Sequence, residues 1–402
     1  MSINTPNLVA SRIAATRPSA LRALRMRALA LKAEGHPIVD LASGNSEHQP
    51  PQALVAALSS AMPSNCAYGD PRGQPKLRKA VADTIARAHG LSYDADTEVT
   101  IVNGATGGLS ATVMGLVDSG VGITVFVPFY EGLDALPRLA QASVKHVRLR
   151  TRKWTFDEDH LATALSGHVR FLLLNNPHNP TGRNFTQTEL QTIARICIEK
   201  NITVISDEAY ESFWFARKPR SIATLPGMRE RTVVIHSWSK AFNAPGLKIG
   251  SIVAPAHLMA AIRQAADLLS GAPATVVQEA FAQAIPSLPA YAAQQRRHLT
   301  SMRNQLSAAL SEYGFTVSRA QATTSLWACA STFTSHASDL QVCEHLLDHV
   351  GIVAAPGSAF VPQYLSGVQS EPQFLRFSFN RSRATIEEAC RRLSECHPFC
   401  VL

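Results

Sequence analysis

A lysine in the second half of the chain is placed where it could act as a nucleophile or a base. Lys240 ends the segment Ser-Trp-Ser-Lys at 237–240, which directly follows the apolar, largely β-branched run 232–235. A lysine that is held at the end of a strand and shielded from bulk water can lose its proton and form a Schiff base with an aldehyde cofactor. Most lysines just beyond a strand are solvated surface groups, so this short motif has to be weighed with its surroundings.

Two upstream motifs supply further polar groups at the ends of apolar runs. Residues 175–182 read Asn-Asn-Pro-His-Asn-Pro-Thr-Gly and follow the run 169–174, and residues 206–210 read Ser-Asp-Glu-Ala-Tyr and follow the run 202–205. We expect these runs to be parallel strands, and the carboxyl ends of such strands form the edge at which open α/β sheets bind ligands. The three motifs together predict a ligand site at that edge.

The three motifs also resemble those of a known family. In chain order, Asn-Pro-x-Asn-Pro-Thr-Gly (with His178 at x), Asp-Glu-Ala-Tyr and Ser-x-Ser-Lys are similar to motifs of the class I/II aminotransferases. These enzymes depend on pyridoxal 5′-phosphate (PLP) and form the aspartate aminotransferase superfamily. The resemblance extends from about Ser19 to near the C-terminus, and it implies an α/β protein of fold type I. Such a protein has a large domain, with a mostly parallel central sheet flanked by helices, and a smaller α+β domain.

The length and composition of the chain also favour two domains, because 402 residues with 46% hydrophobic content can bury a large core. We expect residues 1–47 to form an N-terminal arm and helix together with part of the small domain. Residues 48–285 are expected to form the large PLP-binding domain, and residues 286–402 the C-terminal small domain.

The basic N-terminal segment superficially suits an organellar transit peptide. However, Leu21, Leu24, Ala28 and Leu31 follow a helical period. We therefore expect a surface helix, preceded by a loose arm from Met1 to about Thr16.

Charge and cysteine content bear on partners and location. The formal net charge is +8, but the basic residues are scattered and the short clusters at 22–27 and 148–153 suit solvated faces, so neither nucleic acid nor a membrane is an expected partner. No apolar run approaches the length of a membrane span. Seven cysteines without regular spacing indicate reduced thiols in the cytoplasm. The segment 396–400, Cys-His-Pro-Phe-Cys, offers only three potential ligands, so no metal site is expected.

A glycine-rich segment after the strand-like run 99–102 suits an anion. Residues 103–108 read Asn-Gly-Ala-Thr-Gly-Gly, and small residues with free amides at a helix start can approach a phosphate closely. The segment is neither a Walker loop nor a complete Gly-x-Gly-x-x-Gly, so nucleotide binding is less favoured, and a plain glycine-rich turn is the alternative. The resemblance implies that the PLP phosphate is bound here by the amides of Gly104 and Ala105, the Thr106 hydroxyl and Ser237.

The resemblance implies further cofactor contacts. Lys240 would carry PLP as a Schiff base and, once released, move the substrate Cα proton as a general base. Asp207 would pair with the protonated pyridine nitrogen. Asn179 and Tyr210 would hydrogen-bond the ring hydroxylate, and Tyr130, just beyond the run 122–127, would stack on the ring.

Two more phosphate contacts are implied less directly. Tyr68 precedes a Gly-Asp-Pro-Arg-Gly turn, and in relatives the matching tyrosine reaches the cofactor phosphate of the other subunit, which implies a homodimer with shared active sites. Lys248 stands where relatives usually carry arginine. A lysine keeps the positive charge but loses the planar guanidinium fork, so its part in binding the phosphate is less secure.

Substrate binding is expected to involve Gly44, Asn179 and Arg376. Arg376 lies among apolar neighbours at 374–379, where an arginine needs an anionic partner. The resemblance implies that this partner is the substrate α-carboxylate; a structural salt bridge is the alternative.

The substrate side chain is expected to be polar or basic. After Gly44 the chain departs from the family pattern with Ser46, Glu47 and His48, and the stretch 268–275 lacks an arginine for a second carboxylate. A carboxylate from Glu47 beside the substrate would repel acidic side chains. We therefore predict that dicarboxylic amino acids are not the preferred donors.

The motifs favour an aminotransferase that moves an amino group between an amino acid and a 2-oxoacid by a ping-pong route. The alternative is a PLP-dependent lyase, cyclase or replacement enzyme of the same fold, similar to 1-aminocyclopropane-1-carboxylate synthase. A PLP-sensing regulator is not expected, because such proteins generally carry a DNA-binding domain for which the residues ahead of Gly44 are too few.

Overall fold

A computed structural model of the chain describes residues 9–14, 20–62, 67–330, 337–362, 364 and 373–396. The expected loose arm from Met1 to Thr16 lies mostly outside these residues, although Ser11–Ala14 within it is helical. Of the segment 396–400, only Cys396 is described.

The strands and helices alternate along most of the chain, as expected for an α/β protein. The strands are β1 Val39–Asp40, β2 Val99–Asn103, β3 Gly122–Val127, β4 Ser143–Arg148, β5 Val169–Asn175, β6 Thr203–Asp207, β7 Thr232–His236, β8 Ile249–Val253, β9 Thr316–Val317, β10 Ser325–Cys329, β11 Ile352–Val353, β12 Ala355–Pro356 and β13 Phe374–Ser378. The helices are α1 Ser11–Ala14, α2 Ala20–Ala33, α3 Gln52–Ala61, α4 Pro75–His89, α5 Gly104–Leu116, α6 Gly132–Leu139, α7 Glu158–Ala164, α8 Gln187–Glu199, α9 Trp238–Ala241, α10 Ala256–Ser270, α11 Thr275–Ala284, α12 Leu288–Glu312, α13 Asp339–His345 and α14 Arg383–Glu395.

A seven-stranded sheet forms the centre of the fold, in the order β2-β8-β7-β6-β5-β3-β4. Strands β4, β3, β5, β6 and β7 pair in parallel, while β8 is antiparallel to both β7 and β2. The sheet is therefore mostly parallel, which confirms the predicted fold class. Parallel pairing also brings the ends of β5, β6 and β7 to one edge, and the three sequence motifs follow these strands.

The central strands are apolar because both of their faces are covered. Along β5, Leu172 and Leu174 pack into a core that contains side chains of α8. Phe171 and Leu173 pack into a second core that contains side chains of α5 and α10. Side chains alternate between the two faces of a strand, so a run that is apolar at every position is buried between two layers of helices.

Two smaller sheets lie outside the central one. Strands β12, β13, β10 and β9 form an antiparallel sheet, and β1 pairs in parallel with β11, with Val39 opposite Ile352. A segment near the N-terminus thus pairs with one about three hundred residues later. The predicted domain boundaries, 47/48 and 285/286, remain predictions; the second falls between α11 and α12.

The predicted N-terminal surface helix is present as α2, with Leu24 and Ala28 buried. Leu24 and Ala28 belong to the same hydrophobic core as Val353 from β11 and Ala355 from β12. The apolar side of the helix therefore packs against the rest of the protein. Among the described helices, none combines the length and the apolar character that a membrane crossing requires.

Candidate active site

Lys240 lies in α9, the short helix that begins directly after β7 and Ser237. Its Nζ is 4.3 Å from the centroid of the Tyr210 ring. Burial lowers the pKa of Lys240, but Tyr210, Asp207 and Tyr130 more than offset this effect, so the pKa lies above its ordinary value.

Asp207 ends β6 and is buried. Its Oδ1 accepts the N–H of Ala209 at 3.1 Å. Burial raises the pKa of the Asp207 carboxyl, while Lys240 acts in the opposite direction. A buried carboxylate needs a cationic or hydrogen-bond-donating partner, which makes Asp207 suited to a protonated ring nitrogen.

Backbone hydrogen bonds join the first two motifs across adjacent strands. The carbonyl oxygen of Asp207 accepts both the Asn175 side-chain amide and the Asn176 N–H, each at 3.0 Å. The Oδ1 of Asn175 in turn accepts the backbone N–H of Asn179 at 2.7 Å. The loop that carries Asn179 is thereby tied to the strand that carries Asp207.

Arg376 approaches this loop from β13 of the four-stranded sheet. Its Nη1 donates to Oδ1 of Asn179 at 3.3 Å and its Nη2 to the carbonyl of Ala42 at 3.1 Å. The guanidinium also stands 4.7 Å from the ring centroid of Phe360. Its buried Nε has no hydrogen-bond partner, and no carboxylate within the described part of the chain forms an ion pair with Arg376. The alternative of a structural salt bridge is therefore not supported.

The glycine-rich segment forms the start of α5, as expected. Gly104 is its first residue and has a φ of +70°, which favours glycine. A Cβ on Gly250 in β8 would lie 2.6 Å from the Gly104 carbonyl carbon and 3.0 Å from the Ala105 nitrogen. Glycine at position 250 thus permits the close packing of β8 against the helix start, where free amides can bind an anion.

The remaining candidate phosphate ligands lie around the same helix start or on the surface. Thr106, in the first turn of α5, is exposed. Lys248 is exposed and has a φ of +52°. It lies beside Gly104, because its Cδ is 3.7 Å from the position that a Cβ on Gly104 would occupy. Tyr68 is fully exposed at the surface of the chain.

Tyr130 lies near both the helix start and Lys240. Burial raises the pKa of the Tyr130 hydroxyl, while Lys240 and Thr106 act in the opposite direction. A Cβ on Gly132 would lie 2.8 Å from Cε1 of Tyr130, so the ring packs directly on the backbone of that glycine. The structure therefore brings Tyr130 together with Lys240 and Tyr210.

A narrow cleft with a free volume of about 10 Å³ opens beside Lys240. Most of its walls are uncharged and polar or aromatic. The lining residues are Gly44, Ser46, Tyr210, Phe213, Lys240, Asn243, Pro245, Thr324 and Asn380.

Glu47 is not among the residues that line this cleft, and its contacts do not favour a carboxylate beside the substrate. Its Oε2 accepts the N–H of Ser382 at 3.0 Å and the hydroxyl of Thr385 at 2.7 Å, and its Oε1 is 3.6 Å from Nε of Arg381. Burial raises the pKa of Glu47, but these groups outweigh burial and the pKa is lowered. The carboxylate is drawn to the N-terminus of α14, where free N–H groups and the helix dipole favour an anion.

The ring of His48, the next residue, lies edge-on to that of His298 at a centroid distance of 4.6 Å.

Asn243 is a cleft residue that the sequence motifs did not single out. Its Nδ2 donates to the Tyr291 hydroxyl at 2.8 Å and to Oε1 of Gln295 at 3.0 Å. The Tyr291 hydroxyl donates to the Gln49 carbonyl at 3.1 Å, which leaves it an acceptor towards Asn243. The Oδ1 of Asn243 is buried without a partner. The only sequence signal was a polar residue three positions after Lys240.

The sequence of the chain matches the family "Aminotransferase class I and II" over residues 36–393. The chain is a class I/II aminotransferase. Family members are PLP-dependent, and the enzyme therefore uses PLP to transfer amino groups. These findings confirm the predicted family, cofactor and reaction, and they do not favour the lyase alternative.

The aminotransferase is similar to other named aminotransferases along most of its length. It is 35% identical over 365 residues to a probable N-succinyldiaminopimelate aminotransferase of Mycobacterium tuberculosis, which covers 89% of this chain and 91% of the relative. It is 28% identical over 365 residues to a methionine aminotransferase of Escherichia coli, with 90% and 93% covered. The solved structure of the N-succinyldiaminopimelate aminotransferase from Mycobacterium tuberculosis superposes with a TM-score of 0.90 at 33% identity, covering 96% of this chain and 99% of that one.

The residues of the site fit PLP on structural grounds. Glycine at position 250 lets β8 pack directly on the start of α5, where a side chain would clash with the backbone that carries the Gly104 and Ala105 amides. The buried Nε of Arg376 is a hydrogen-bond donor without an acceptor. The site thus offers an anion cradle, an amine at Lys240 and a buried acid at Asp207.

Proposed function

We propose that Lys240, Asp207 and Tyr210 are the catalytic residues of this aminotransferase. When bound, PLP supplies a sink for the electrons released at the substrate Cα. Lys240 attaches the cofactor and moves the Cα proton as a general base. Asp207 pairs with the pyridine nitrogen, Asn179 and Tyr210 hydrogen-bond the ring oxygen, and Tyr130 lies against the ring. The 4.3 Å separation of Lys240 Nζ from the Tyr210 ring supports this arrangement.

Arg376, with Asn179 and Gly44 beside it, is assigned to the substrate α-carboxylate. The observation that carries this assignment is the buried Arg376 Nε without a partner. Each Nη makes one hydrogen bond, to Asn179 or to Ala42, which leaves N–H groups free for a further acceptor. A guanidinium with a free edge binds a carboxylate through two parallel hydrogen bonds.

The cofactor phosphate is assigned to the start of α5. The amides of Gly104 and Ala105 and the hydroxyls of Thr106 and Ser237 supply hydrogen bonds, and Lys248 supplies a positive charge. The positive φ of Gly104 and the position of Lys248 beside it support this assignment.

The enzyme is proposed to be a homodimer in which Tyr68 of one subunit reaches the phosphate site of the other. The complete exposure of the Tyr68 ring supports this, because an isolated tyrosine gains little from standing free in water. A cytoplasmic location is also inferred. It is supported by the described cysteines, Cys197, Cys329, Cys343, Cys390 and Cys396, which are all unpaired.

The preferred amino-acid donor is proposed to carry a hydrogen-bond donor on its side chain and no carboxylate. Asn243 supports this, because its amide hydrogens are engaged and its buried Oδ1 remains an acceptor. A donor group on the substrate would satisfy this oxygen, whereas a carboxylate would leave two acceptors facing each other. The cleft lining contains no acidic residue, so a neutral polar side chain suits it better than a cationic one.

A donor screen tests this substrate class. Glutamine, asparagine and serine are compared with aspartate and glutamate by the absorbance change of the bound cofactor on amino transfer. We expect kcat/KM for the best neutral polar donor to exceed that for either dicarboxylic donor by at least about tenfold.

Asn243→Ala should lower kcat/KM for the best polar donor by about tenfold and leave that for alanine unchanged. Asn304→Ala, on the exposed face of α12, is the control. Aspartate as the fastest donor would refute the substrate class but not the reaction. Release of ammonia without transfer of the amino group would instead favour the lyase alternative.

A further inference from the structure

A buried cluster of metal-ligating side chains lies behind the turn that carries Asp207 and Tyr210. His89, Glu208 and Glu211 each offer one ligand atom, and these atoms all lie within 4.8 Å of one another. His89 ends α4, whereas the two glutamates lie in the turn after β6. The distance from His89 Nε2 to Glu211 Oε2 is 3.2 Å. The proposed reaction does not use any of the three side chains.

A fourth side chain, that of His236, lies beside this cluster. His236 ends β7, is only 2% exposed, and has its Nε2 3.7 Å from Oε2 of Glu211. Its Nδ1 is buried without a partner, and no hydrogen bond joins its ring to any other described residue. Buried imidazoles normally make hydrogen bonds, so one that lacks them beside two carboxylates is suited to binding an ion.

The cluster borders a small cavity. Its free volume of about 10 Å³, close to the space that a single water occupies, is lined by His89, Glu208 and His236, while the rest of its wall is mostly apolar. The remaining lining residues are Ile85, Leu91, Tyr93, Ser221, Val234 and Val253. Apolar walls around a small set of ligands limit the access of water to a bound ion.

The Glu208 carboxylate is already oriented by its neighbours. Its Oε1 accepts the hydroxyls of Ser206 at 2.8 Å and Ser221 at 2.7 Å. Both of these hydrogen bonds end on Oε1, and neither involves the second carboxylate oxygen of Glu208, Oε2. Hydrogen bonds of this kind hold ligating carboxylates in place around metal ions.

The charges in the cluster also favour a cation. Glu211 is hydrogen-bonded to His89, and with neutral imidazoles the two glutamates would place two negative charges in a small buried space, where an uncompensated charge is costly. Lys218, which acts electrostatically on Glu211, donates its hydrogen bond to the carbonyl of Ala88 instead. A divalent cation with two carboxylates and two neutral imidazoles would form a site with no net charge.

We propose that His89, Glu208, Glu211 and His236 bind one divalent transition-metal ion of the zinc type. Zinc binds imidazole nitrogens and carboxylate oxygens at about 2.0–2.2 Å in a tetrahedron, which separates its ligand atoms by about 3.4 Å. The ligand atoms of His89, Glu208 and Glu211 lie within 4.8 Å of one another and His236 Nε2 is 3.7 Å from Glu211 Oε2, so the four side chains would have to move closer together around the ion to reach this separation. The ion joins α4 and β7 to the turn that holds Asp207 and Tyr210, so it acts as a positioning element and not as a reactant.

Direct metal binding by the PLP-loaded enzyme tests the proposal. After exposure to Zn²⁺ and dialysis into metal-free buffer, we expect about one Zn²⁺ per chain by mass spectrometry of the metal. Co²⁺ should give the visible absorption of a tetrahedral complex, and Zn²⁺ should raise the thermal midpoint. Neither readout depends on activity, so failure of this proposal is distinguishable from failure of the proposed catalytic roles.

His89→Ala and Glu211→Gln should each weaken Zn²⁺ binding by about 100-fold or more. His146→Ala is the matched control, because His146 is as buried as His89 and pairs with Asp134 at 2.8 Å, outside the cluster. No Zn²⁺ or Co²⁺ bound above background by the folded wild type would overturn the proposal, and so would full binding by both cluster variants.

Discussion

Arg376 donates a hydrogen bond to the side-chain oxygen of Asn179 across 3.3 Å, and this bond joins the four-stranded sheet to the edge of the central sheet. Asn179 belongs to the loop after β5, which is tied through Asn175 to Asp207 at the end of β6. The proposed carboxylate-binding group and the proposed cofactor-binding acid are therefore linked by consecutive hydrogen bonds. Arg376 and Asp207 lie on different sheets, so the distance between these two residues depends on how the sheets are arranged.

Arg376→Lys should lower kcat/KM by about 100-fold and raise KM for the amino donor, because lysine keeps the charge but cannot form two parallel hydrogen bonds. Steady-state kinetics with the best donor measures both effects. Arg303→Lys is the matched control, since Arg303 also stands over a ring, 4.8 Å from that of Phe215. Unchanged kinetics in Arg376→Lys would show that the α-carboxylate binds elsewhere.

PLP should be attached to Lys240. Borohydride reduction of the PLP-loaded enzyme, followed by peptide mapping, should place the pyridoxyl group on this residue. Lys240→Ala should still bind PLP but lose at least about 10²–10⁴-fold in turnover, because both the general base and the covalent attachment are removed. Lys200→Ala, at an exposed lysine directly after α8, is the control. A label on Lys248 would contradict the assignment.

Two inactive variants should restore activity when they form mixed dimers. If Tyr68 of one subunit completes the site of the other, a subunit with Tyr68→Ala paired with one carrying Lys240→Ala contains one intact site. Refolding the two together should recover up to about a quarter of wild-type activity, since half of the dimers are mixed and each has one working site. A fully active monomer in sedimentation at the assay concentration would exclude shared sites.

Glu47→Gln should affect stability and leave donor preference unchanged. Loss of the carboxylate at the start of α14 should cost about 0.5 kcal/mol of unfolding free energy, at the low end for a helix cap because the Glu47 side chain is 39% exposed. Urea unfolding of both proteins measures this difference. A large gain in aspartate turnover would show instead that Glu47 does face the substrate.

The same variant has a defined pH dependence. The pKa of Glu47 is lower in the folded protein than its ordinary 4.5, so the stabilisation is complete above that value and is lost as the pH falls through the folded pKa. The stability difference between wild type and Glu47→Gln should therefore be constant from pH 7 to about pH 5 and shrink below it. A difference in unfolding free energy that grows as the pH falls would contradict the role of Glu47 as a helix cap.

The sequence alone determined the family, the cofactor and the residues at the strand ends. Lys240, Asp207 and Asn179 each lie within a few residues of a buried strand, and local apolar runs and motif spacing report such positions. Once the runs are recognised as adjacent parallel strands, their ends must meet at one edge. This is why these residues could be grouped before any coordinates were known.

Only the tertiary structure decided the partners of side chains that are far apart in sequence. Glu47 turned away from the cleft because the start of α14, more than three hundred residues later, offers free N–H groups and Arg381. The Asn243 amide is engaged by Tyr291 and Gln295 of α12, and His236 lies beside Glu211 because β7 and β6 are neighbouring strands. Hydrogen bonds and charges act over a few ångströms in space, so the sequence does not reveal such pairs until the chain is folded.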